Sequence, residues 1–372
     1  MIKTFLTLIL SYLKMLNKLK NKKILITGNT GFKGAWLTLF LNILGAKVVG
    51  YSNVIPWRNS ILTKKNIDIF AKQYWGDIAD FKKINKLIIN EKPDLVFHLA
   101  AQPLVLEGFK NPYQTMMTNI NGTINILEAV KINYPNTPLM IITSDKVYEN
   151  DNDYNAFKED DHIYGDCPYS TSKACSEMIS KTYFNIKKNL VIRMLRAGNV
   201  LGGGDWSEDR LIPDLVRSIL KKEIPLIRNP KSVRPWTHVL DIIYGYVLAA
   251  NNSLKEKNSY DAFNFSSNTK HNYDVLKIAN KFLNKFNLNT IKIDKRETFI
   301  EKTYLDINSN KSKEILDWHP TYKIEDAINL TVEWYNDIFK NRFQPADKTI
   351  QQIQSYLNNL QESKKLNFRK AI

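Results

Sequence analysis

Cysteine is scarce in this sequence, whose 372 residues include only Cys167 and Cys175. Two cysteines cannot build a disulfide framework, and their scarcity favours a reducing, cytoplasmic setting. The five histidines are dispersed, and no group of cysteine and histidine has the spacing of zinc ligands. We therefore predict no metal centre.

Long apolar runs are also missing. No stretch approaches the roughly eighteen apolar residues that a membrane-spanning helix requires, so we expect no membrane partner. The apolar segment at residues 5–10, which follows Lys3, is too short to span a bilayer, and no small-residue cleavage site follows it. Because Met15 stands shortly before the first predicted strand, we interpret residues 1–14 as an over-extended start or an appended amphipathic helix rather than a signal peptide.

Acidic residues are outnumbered, with 37 Asp and Glu against 53 Lys and Arg and a net charge of +16. Such an excess attracts anions, whether nucleic acid, a membrane surface or a phosphorylated substrate. The chain lacks the basic stripe with interleaved aromatics, or the recognition helix, of a nucleic-acid-binding protein, so we expect no nucleic-acid partner. Only ten of the cations are arginine. Six of these ten lie close together in the chain, namely Arg193, Arg196, Arg210, Arg217, Arg228 and Arg234.

The apolar pattern predicts an α/β fold. From residue 23 onward, short apolar runs alternate with longer helical stretches, which is typical of a doubly wound, parallel Rossmann sheet. We predict strands at 23–27, 47–51, 70–75, 94–99, 139–143 and 190–195, and helices at 33–44, 80–90, 112–133 and 169–187. Beyond about residue 200, prolines and glycines break the pattern, which predicts a smaller α/β substrate-binding lobe. The predicted plan is an extension at 1–20, a dinucleotide-binding domain at 21–198 to which later segments return, the lobe mainly at 199–340, and a tail at 341–372.

A glycine-rich loop connects the first predicted strand to the first helix. Its glycines fall at positions 28, 31 and 34, instead of the commonest dinucleotide spacing of 28, 30 and 33. Gly28 permits a tight turn, Gly31 lets the backbone approach a pyrophosphate, and Gly34 lets the helix pack closely. The loop predicts a nucleotide cofactor bound by Gly28, Asn29, Thr30, Gly31, Phe32, Lys33 and Gly34.

The chemistry of the residues leaves NAD and NADP both open. An acidic residue at the end of the second strand would bind the adenosine ribose of NAD, but Tyr51, Ser52 and Asn53 stand there. Arg58 and Lys33 are candidates to bind a 2′-phosphate, although solvent-exposed bystanders are the first interpretation of both. The candidate cofactor contacts after the third and fourth strands are Asp77, Ile78, Leu99, Ala100 and Ala101.

Tyr169 and Lys173 stand four residues apart and therefore share one face of a predicted helix. A neighbouring ammonium group favours the phenolate, so Tyr169 can act as a base near neutral pH while Lys173 reaches the nicotinamide ribose. The Tyr-x-x-x-Lys spacing is a weak motif by itself. Combined with the glycine loop and a strand that runs into Ser144, it predicts a redox site.

These motifs resemble the extended short-chain dehydrogenase/reductases over about residues 23–340, and the resemblance adds Asn119 to the cofactor contacts and Ser144 to the catalytic residues. Within that family, longer strings resemble the CDP-glucose 4,6-dehydratases. They are the glycine loop with Trp36 and residues 100–105, 144–150, 196–206, 209–213 and 228–236. Lys146 after Asp145 marks the CDP-sugar branch, because the related dTDP-glucose enzymes have Asp-Glu there.

Asp145 and Lys146 follow a predicted strand at the end where open sheets bind ligands, so they can supply an acid and a base. The resemblance implies that Tyr169 takes the proton of the 4-hydroxyl while hydride leaves C4 for NAD, and that the resulting ketone acidifies C5. Lys146 then takes the C5 proton, Asp145 protonates the departing C6 hydroxyl, and the hydride returns to C6. This activity belongs to deoxysugar biosynthesis, such as that of lipopolysaccharide O-antigen.

The arginine-rich stretch predicts the substrate contacts. Planar guanidinium groups bind a diphosphate bidentately, so we expect a nucleotide-sugar pyrophosphate to contact Arg234 and Asn199, with Arg210 or Arg228. The resemblance adds Gln102. Three other residues of this region are interpreted as structural, namely Arg193, Arg217 and His238.

Assembly and substrate identity are less tightly defined. The helices at 112–133 and 169–187 carry apolar residues on more than one face, and in the family resembled this pair forms a two-fold contact, so we predict a homodimer. The apolar residues are Ile120, Ile124, Leu127, Val130, Met178, Ile179 and Phe184. Departures from the family at Leu106 and at 164–167 lie in loops expected near the hexose and leave the sugar open.

Two alternatives stay open besides. A dehydratase or epimerase of the same family could act on a GDP-, dTDP- or UDP-linked sugar, but an epimerase has no need of Asp145 and Lys146. An inactive NAD(P)-binding regulator would keep the glycine loop and lose Tyr169 or Lys173, and both are present.

Overall fold

A computed structural model describes residues 17–151, 155–186, 189–267, 273–294 and 302–370 of the chain. Residues 1–14, interpreted above as an over-extended start or an appended helix, lie outside the described residues. Within the described ranges, no helix combines the length and the apolar character needed to cross a membrane.

The centre of the fold is a parallel seven-stranded sheet. Its strands are β1 (Lys23–Thr27), β2 (Lys47–Ser52), β3 (Lys72–Trp75), β4 (Leu95–His98), β5 (Leu139–Ile142), β6 (Val191–Ala197) and β10 (Ser259–Phe265). Their spatial order is β3–β2–β1–β4–β5–β6–β10, and every adjacent pair is parallel. The chain reverses its direction of winding between β1 and β4, which is where doubly wound sheets bind ligands.

Two small parallel ribbons complete the strands. They pair β7 (Asn199–Leu201) with β9 (Trp236–His238), and β8 (Leu226–Ile227) with β11 (Lys292–Ile293). Both ribbons come from the part of the chain beyond residue 198, where we predicted a smaller lobe.

The helices cover both faces of the large sheet. They are α1 (Phe32–Ile43), α2 (Ile67–Phe70), α3 (Phe81–Glu91), α4 (Val105–Lys110), α5 (Pro112–Met116), α6 (Gly122–Asn133), α7 (Pro168–Ile186), α8 (Leu211–Lys221), α9 (Val239–Ser253), α10 (Val275–Asn284), α11 (Asn310–Leu316), α12 (Ile324–Phe339) and α13 (Pro345–Lys370). Helices α3, α6 and α7 pack together on one face, and α1 and α9 pack on the other. Helix α9 is apolar on all sides, and every residue in it except Asn252 is buried.

The predicted doubly wound α/β fold is confirmed, and the six predicted strands and four predicted helices all exist with small shifts at their ends. The predicted helix at 112–133 is a compound one, because a π-helical turn at Met117–Asn121 separates α5 from α6. Strand β10 was missed, since polar residues such as Asp261 and Asn264 interrupt its apolar pattern. The division into domains stays a prediction.

Most of the C-terminal tail is a helix that packs on the rest of the fold. Helix α13 packs against α1 and α12, and its Tyr356 is fully buried. The Tyr356 hydroxyl donates a hydrogen bond of 2.8 Å to Asp241 on α9, so the tail is part of the folded core.

Candidate active site

The glycine loop lies at the carboxyl end of β1, beside the loop that follows β4. Gly28 adopts φ +73°, and a Cβ atom on it would lie 2.7 Å from the backbone nitrogen of Ala100. A Cβ atom on Gly34 would lie 2.1 Å from the carbonyl oxygen of Gly28. Both predicted reasons for glycine, a tight turn and a closely packed helix, are thus confirmed.

The loop fits the pyrophosphate of a dinucleotide. A Cβ atom on Gly31 would meet only the Gly28 carbonyl oxygen, at 3.5 Å, so this glycine leaves space open toward a ligand. Helix α1 begins there with no acidic residue in its first turn and no side-chain cap from any described residue. Its first amide groups can therefore bind an anion.

Side chains in the loop mainly shape the loop itself. Asn29 donates a hydrogen bond of 2.7 Å to Gln73 on β3 and accepts one of 2.8 Å from Ser52 on β2. The Thr30 hydroxyl donates to the Val54 carbonyl oxygen at 2.7 Å. Asn29 and Thr30 thus hold the loop against the end of β2, where an acidic residue would stand to bind the adenosine ribose. The predicted cofactor contacts of these two residues stay a prediction.

The other predicted cofactor residues line the same edge of the sheet. Asp77 accepts a hydrogen bond of 2.9 Å from the Ala79 amide, and Ile78 is buried beside α6. Asn119 is buried and connects the loop after β4 to α7, because its oxygen accepts from the Gln102 amide and its nitrogen donates to Ser172, each at 2.8 Å. Asn119 therefore fixes α7 relative to the loop after β4.

Tyr169 and Lys173 are buried on the face of α7 that packs on the end of β5. Lys173 Nζ donates a hydrogen bond of 3.0 Å to the Ile142 carbonyl oxygen, and burial lowers the pKa of Lys173 to about 8. Burial raises the pKa of Tyr169, and the neighbouring Ser144 hydroxyl opposes the rise without cancelling it. Arg210 is a cation whose charge favours the phenolate. The expected help of Lys173 and the role of Tyr169 as a base stay predictions.

Asp145 and Lys146 begin a short 3₁₀ turn (Asp145–Val147) directly after the end of β5. The Ser144 hydroxyl donates 2.9 Å to Asp145 Oδ1 and accepts from the Lys146 amide at 3.2 Å. Burial raises the pKa of Asp145, while Lys146 and Arg234 oppose the rise. The five residues predicted to be catalytic thus converge at the carboxyl end of β5.

Lys33 also faces this centre, which corrects our interpretation of it as an exposed bystander or a 2′-phosphate ligand. It is half-buried, and its ammonium nitrogen lies 6.0 Å from the centre of the Tyr246 ring on α9. Burial, with the charges of Arg210 and Lys173, lowers the pKa of Lys33 to about 7, while Asp145 opposes the effect. The helical position of residue 33 turns its side chain inward, toward the end of β5. Arg58 is exposed, as expected.

The predicted diphosphate ligands occupy different environments. Arg234 is buried and donates to the Val233 and Lys302 carbonyl oxygens at 2.7 and 2.8 Å, and its charge acts on Asp145. Arg210 pairs with Asp205 at 3.2 Å and acts on Tyr169 and Lys33. Both arginines therefore surround the catalytic centre.

Arg228 and Asn199 lie at its margin. Arg228 pairs with Asp209 at 2.8 Å and Asp214 at 3.4 Å, so two carboxylates already neutralise it. Asn199 is half-buried at the start of β7. The Gln102 side chain bonds to the Leu104 backbone and to Thr115, so it shapes its own loop. Substrate contacts of these residues stay predictions.

The charged residues interpreted as structural have structural environments. Arg193 pairs with Glu256, and Arg217 pairs with Asp214 on the same helix. His238 is buried and caps α9 by accepting from the Leu240 amide at 3.3 Å. No group of His, Cys, Asp and Glu among the described residues could hold a metal ion.

Sequence reasoning missed the buried ion pair of Glu177 and Arg196 beneath the catalytic residues. Glu177 Oε1 accepts from Arg196 Nε at 2.8 Å and from the Thr143 hydroxyl at 2.6 Å. Arg196 Nη1 donates 2.7 Å to the Tyr148 hydroxyl. A signal was available, because Glu177 extends the i, i+4 spacing of Tyr169 and Lys173 by one turn.

Comparisons with known proteins show the family to which this chain is similar. A sequence model of the GDP-mannose 4,6 dehydratase family matches residues 25–331. The CDP-glucose 4,6-dehydratase of Salmonella typhimurium is 35% identical over 326 residues, which cover 85% of this chain and 91% of that protein. The resemblance stated from the motifs is thus confirmed.

Solved structures show the same fold at lower identity. The dTDP-glucose 4,6-dehydratase of Bacillus anthracis in complex with NAD has a TM-score of 0.72 at 21% identity, covering 85% of this chain and 97% of that one. The UDP-glucose 4-epimerase of Bifidobacterium longum in complex with NAD⁺ and UDP has a TM-score of 0.76 at 20% identity, covering 86% and 100%.

The parallel sheet, the glycine loop and the helix that carries Tyr169 and Lys173 define an extended short-chain dehydrogenase/reductase. Within that class, the chain belongs to the GDP-mannose 4,6 dehydratase family.

Proposed function

We propose that this protein is a hydro-lyase that converts CDP-D-glucose to CDP-4-keto-6-deoxy-D-glucose by NAD-dependent internal hydride transfer from C4 to C6. One observation carries the proposal. The pair Tyr169 and Lys173 lies beside the turn that holds Asp145 and Lys146, so one site contains groups for oxidation and groups for elimination. The 35% identity to a CDP-glucose 4,6-dehydratase over most of both chains supports it.

The oxidation needs a base at the 4-hydroxyl of the hexose. Tyr169 supplies it, and Ser144 and Arg210 oppose the rise in its pKa that burial causes. Lys173 is held one helical turn away, where its ammonium group adds positive charge to the site. When bound, NAD supplies the hydride acceptor at C4 and later the hydride donor at C6.

The elimination needs a base at C5 and an acid at the C6 hydroxyl. The 4-ketone acidifies the C5 proton, which Lys146 removes. Asp145 then donates its proton to the departing C6 hydroxyl, and water leaves. Lys146 returns its proton to C5 as hydride is added at C6, which completes the 4-keto-6-deoxy product. Burial favours the protonated form of Asp145 before the elimination, as a general acid requires.

We assign the residues that contact the substrate's diphosphate from their charge. We assign the cytidine base from sequence similarity. Arg234 and Arg210 bring two guanidinium groups to the edge of the site, and planar guanidinium groups suit a diphosphate. Lys146 follows Asp145 as in the CDP-sugar branch. The cytidine base rests on this likeness and on the Salmonella relative.

NAD is the proposed cofactor, since the glycine loop fits a dinucleotide and similar structures contain NAD. At the adenosine end, Asn29 is hydrogen-bonded to Ser52 and Gln73, which are both neutral. The two free cysteines fit the proposed cytoplasmic location, and the product fits deoxysugar biosynthesis of the O-antigen kind.

We also propose a homodimer built on α6 and α7. Met178 on α7 is 60% exposed, and Ile120 and Ile124 are half-buried. Leu127 and Val130, which we had assigned to the contact surface, are instead buried in the core of their own subunit. A second copy would cover the remaining apolar residues by a two-fold contact.

Incubation with CDP-, dTDP-, GDP- and UDP-glucose tests the function. We expect CDP-glucose to give the absorbance of an alkali-treated 4-keto product, without added reductant and faster than the other three. Faster conversion of another nucleotide sugar would contradict the cytidine assignment. Conversion of UDP-glucose to UDP-galactose without a 6-deoxy product would identify an epimerase instead.

A further inference from the structure

Two side chains on either side of the catalytic turn, residues 144–147, contact one buried ion pair. Thr143 precedes the turn, and its hydroxyl donates 2.6 Å to Glu177 Oε1. Tyr148 follows the turn, and its hydroxyl accepts 2.7 Å from Arg196 Nη1. Glu177 and Arg196 therefore contact both ends of the segment that carries Asp145 and Lys146.

The ion pair itself is rigidly placed. Glu177 and Arg196 are 1% and 2% exposed, and Arg196 Nε lies 2.8 and 3.1 Å from the two carboxylate oxygens. Arg196 Nη2 also bonds to Glu177, which makes the contact bidentate. Arg196 belongs to β6 and Glu177 to α7, so the pair joins the sheet to the catalytic helix.

Further bonds extend the arrangement to the edge strand β10. Arg196 Nη1 donates 2.9 Å to the Glu159 carbonyl oxygen, and the Tyr148 hydroxyl donates 2.7 Å to Asn264 on β10. On the other side, burial lowers the pKa of Lys173, and the charge of Glu177, one helical turn beyond it, partly offsets this effect. The catalytic turn, Lys173 and the edge strand β10 are thus all connected to one buried ion pair.

We propose that the Glu177–Arg196 pair is a positioning clamp, which fixes the catalytic turn against α7 so that Asp145 and Lys146 face C5 and C6 of the sugar oxidised at Tyr169. This inference rests on the proposed function. It adds the residues that align the groups for elimination with the groups for oxidation. Glu177, Arg196, Thr143 and Tyr148 are positioning residues, because they act through the turn. A small displacement of reacting groups is enough to slow a chemical step strongly.

Thr143→Val and Tyr148→Phe test the clamp, because each removes one hydroxyl group and leaves the ion pair in place. Matched controls are Thr331→Val and Tyr356→Phe. Thr331 is buried on α12 and donates 2.7 Å to the Ala327 carbonyl oxygen, and Tyr356 donates to Asp241 on α9. The controls lose a buried hydroxyl group far along the chain from the catalytic turn.

We expect Thr143→Val and Tyr148→Phe to lower kcat on CDP-glucose about tenfold or more with KM changed less than about twofold. A larger fraction of each variant should carry reduced nicotinamide during turnover, because elimination slows more than oxidation. The controls should keep the wild-type kcat and the wild-type fraction of reduced cofactor, even if their melting temperatures fall as much as those of the clamp variants. Clamp variants that match their controls in both respects would overturn the proposal.

Amide hydrogen exchange gives a second readout that needs no turnover. We expect exchange across residues 143–148 to be faster in Thr143→Val than in the wild type, and unchanged there in Thr331→Val. Unchanged exchange in Thr143→Val would contradict the clamp whatever the substrate proves to be. A wild-type enzyme that makes no 4-keto product would instead contradict the proposed function, while leaving the exchange result to decide on the clamp.

Discussion

The Ser144 hydroxyl donates a hydrogen bond of 2.9 Å to Asp145 Oδ1, and Asp145 Oδ2 is buried without a hydrogen bond from any described residue. Burial raises the pKa of this carboxyl group, which favours its protonated form. One oxygen is thus anchored to the turn, and the other is left to carry a proton. This is the arrangement that a general acid for the C6 hydroxyl needs.

Asp145→Asn should therefore block elimination while keeping the first oxidation. The amide has nearly the shape of the protonated acid but cannot release a proton to the leaving hydroxyl. We expect product formation to fall by about 10²–10⁴-fold, the usual contribution of general acid catalysis. Single-turnover measurement of reduced nicotinamide and of 4-keto product follows the two steps separately. If Asp145→Asn formed product at the wild-type rate, Asp145 would have no part in the mechanism.

Tyr169→Phe and Lys146→Ala should block different steps. Without the Tyr169 hydroxyl the 4-hydroxyl has no base, so we expect neither reduced cofactor nor product. Without Lys146 the first hydride transfer should persist and the C5 proton should stay, so reduced cofactor accumulates. The same single-turnover measurement distinguishes them. If Lys146→Ala kept full dehydratase activity, the base would have to be sought elsewhere, with Lys33 the first residue to test.

Lys33→Met should change the pH dependence of stability. The pKa of Lys33 is about 7 in the folded chain, against an ordinary value of 10.5. Between these values the unfolded chain holds a proton that the folded chain has lost, so wild-type stability rises with pH there, by at most about 1.4 kcal/mol per pH unit. The variant should be more stable than the wild type at pH 6, and this advantage should shrink as the pH rises through 7–10.

Urea unfolding of the cofactor-free protein at several pH values measures this difference. Lys47→Met is the control, since Lys47 is exposed on β2. A stability difference between Lys33→Met and the wild type that stays constant from pH 6 to 10 would show that Lys33 points into solvent, contrary to its position in this structure.

Met178→Glu should weaken the proposed dimer. The added carboxylate would be buried against a second copy, and burying an unpaired charge is costly. We expect sedimentation at micromolar concentration to show a shift from dimer to monomer. Ile315→Glu on α11, where Ile315 is 49% exposed, is the control and should leave the dimer intact. A wild-type monomer of 43.2 kDa with full activity would exclude the dimer.

The sequence predicts the sheet and the catalytic residues better than it predicts the residues that hold them in place. Strands such as β1 and β5 are continuous apolar runs, and the glycine loop and the spacing of Tyr169 and Lys173 are local patterns. Strand β10 was missed because its polar residues bond to partners far away in the chain, as Asn264 does to Tyr148 and Glu159. No local pattern could reveal those partners.

The same limit applies to single side chains. Lys33 looked like a surface lysine, because nothing in the sequence shows that its helix starts close enough to Asp145 and Lys173 for their charges to act on it. Glu177 and Arg196 are 19 residues apart and pair only once α7 has packed on the sheet. Their contribution follows from tertiary structure, in which strand order decides the neighbours.

The most direct test of the proposed function uses CDP-glucose deuterated at C4. If hydride leaves C4 and returns to C6 within one active site, the deuterium should appear in the 6-methyl group of the product, with no transfer to added unlabelled NADH. Mass spectrometry and NMR of the isolated product locate the label. Deuterium that is lost to the bulk cofactor pool, or that is absent from C6 in a 4-keto product, would contradict internal hydride transfer and the account of the site built on it.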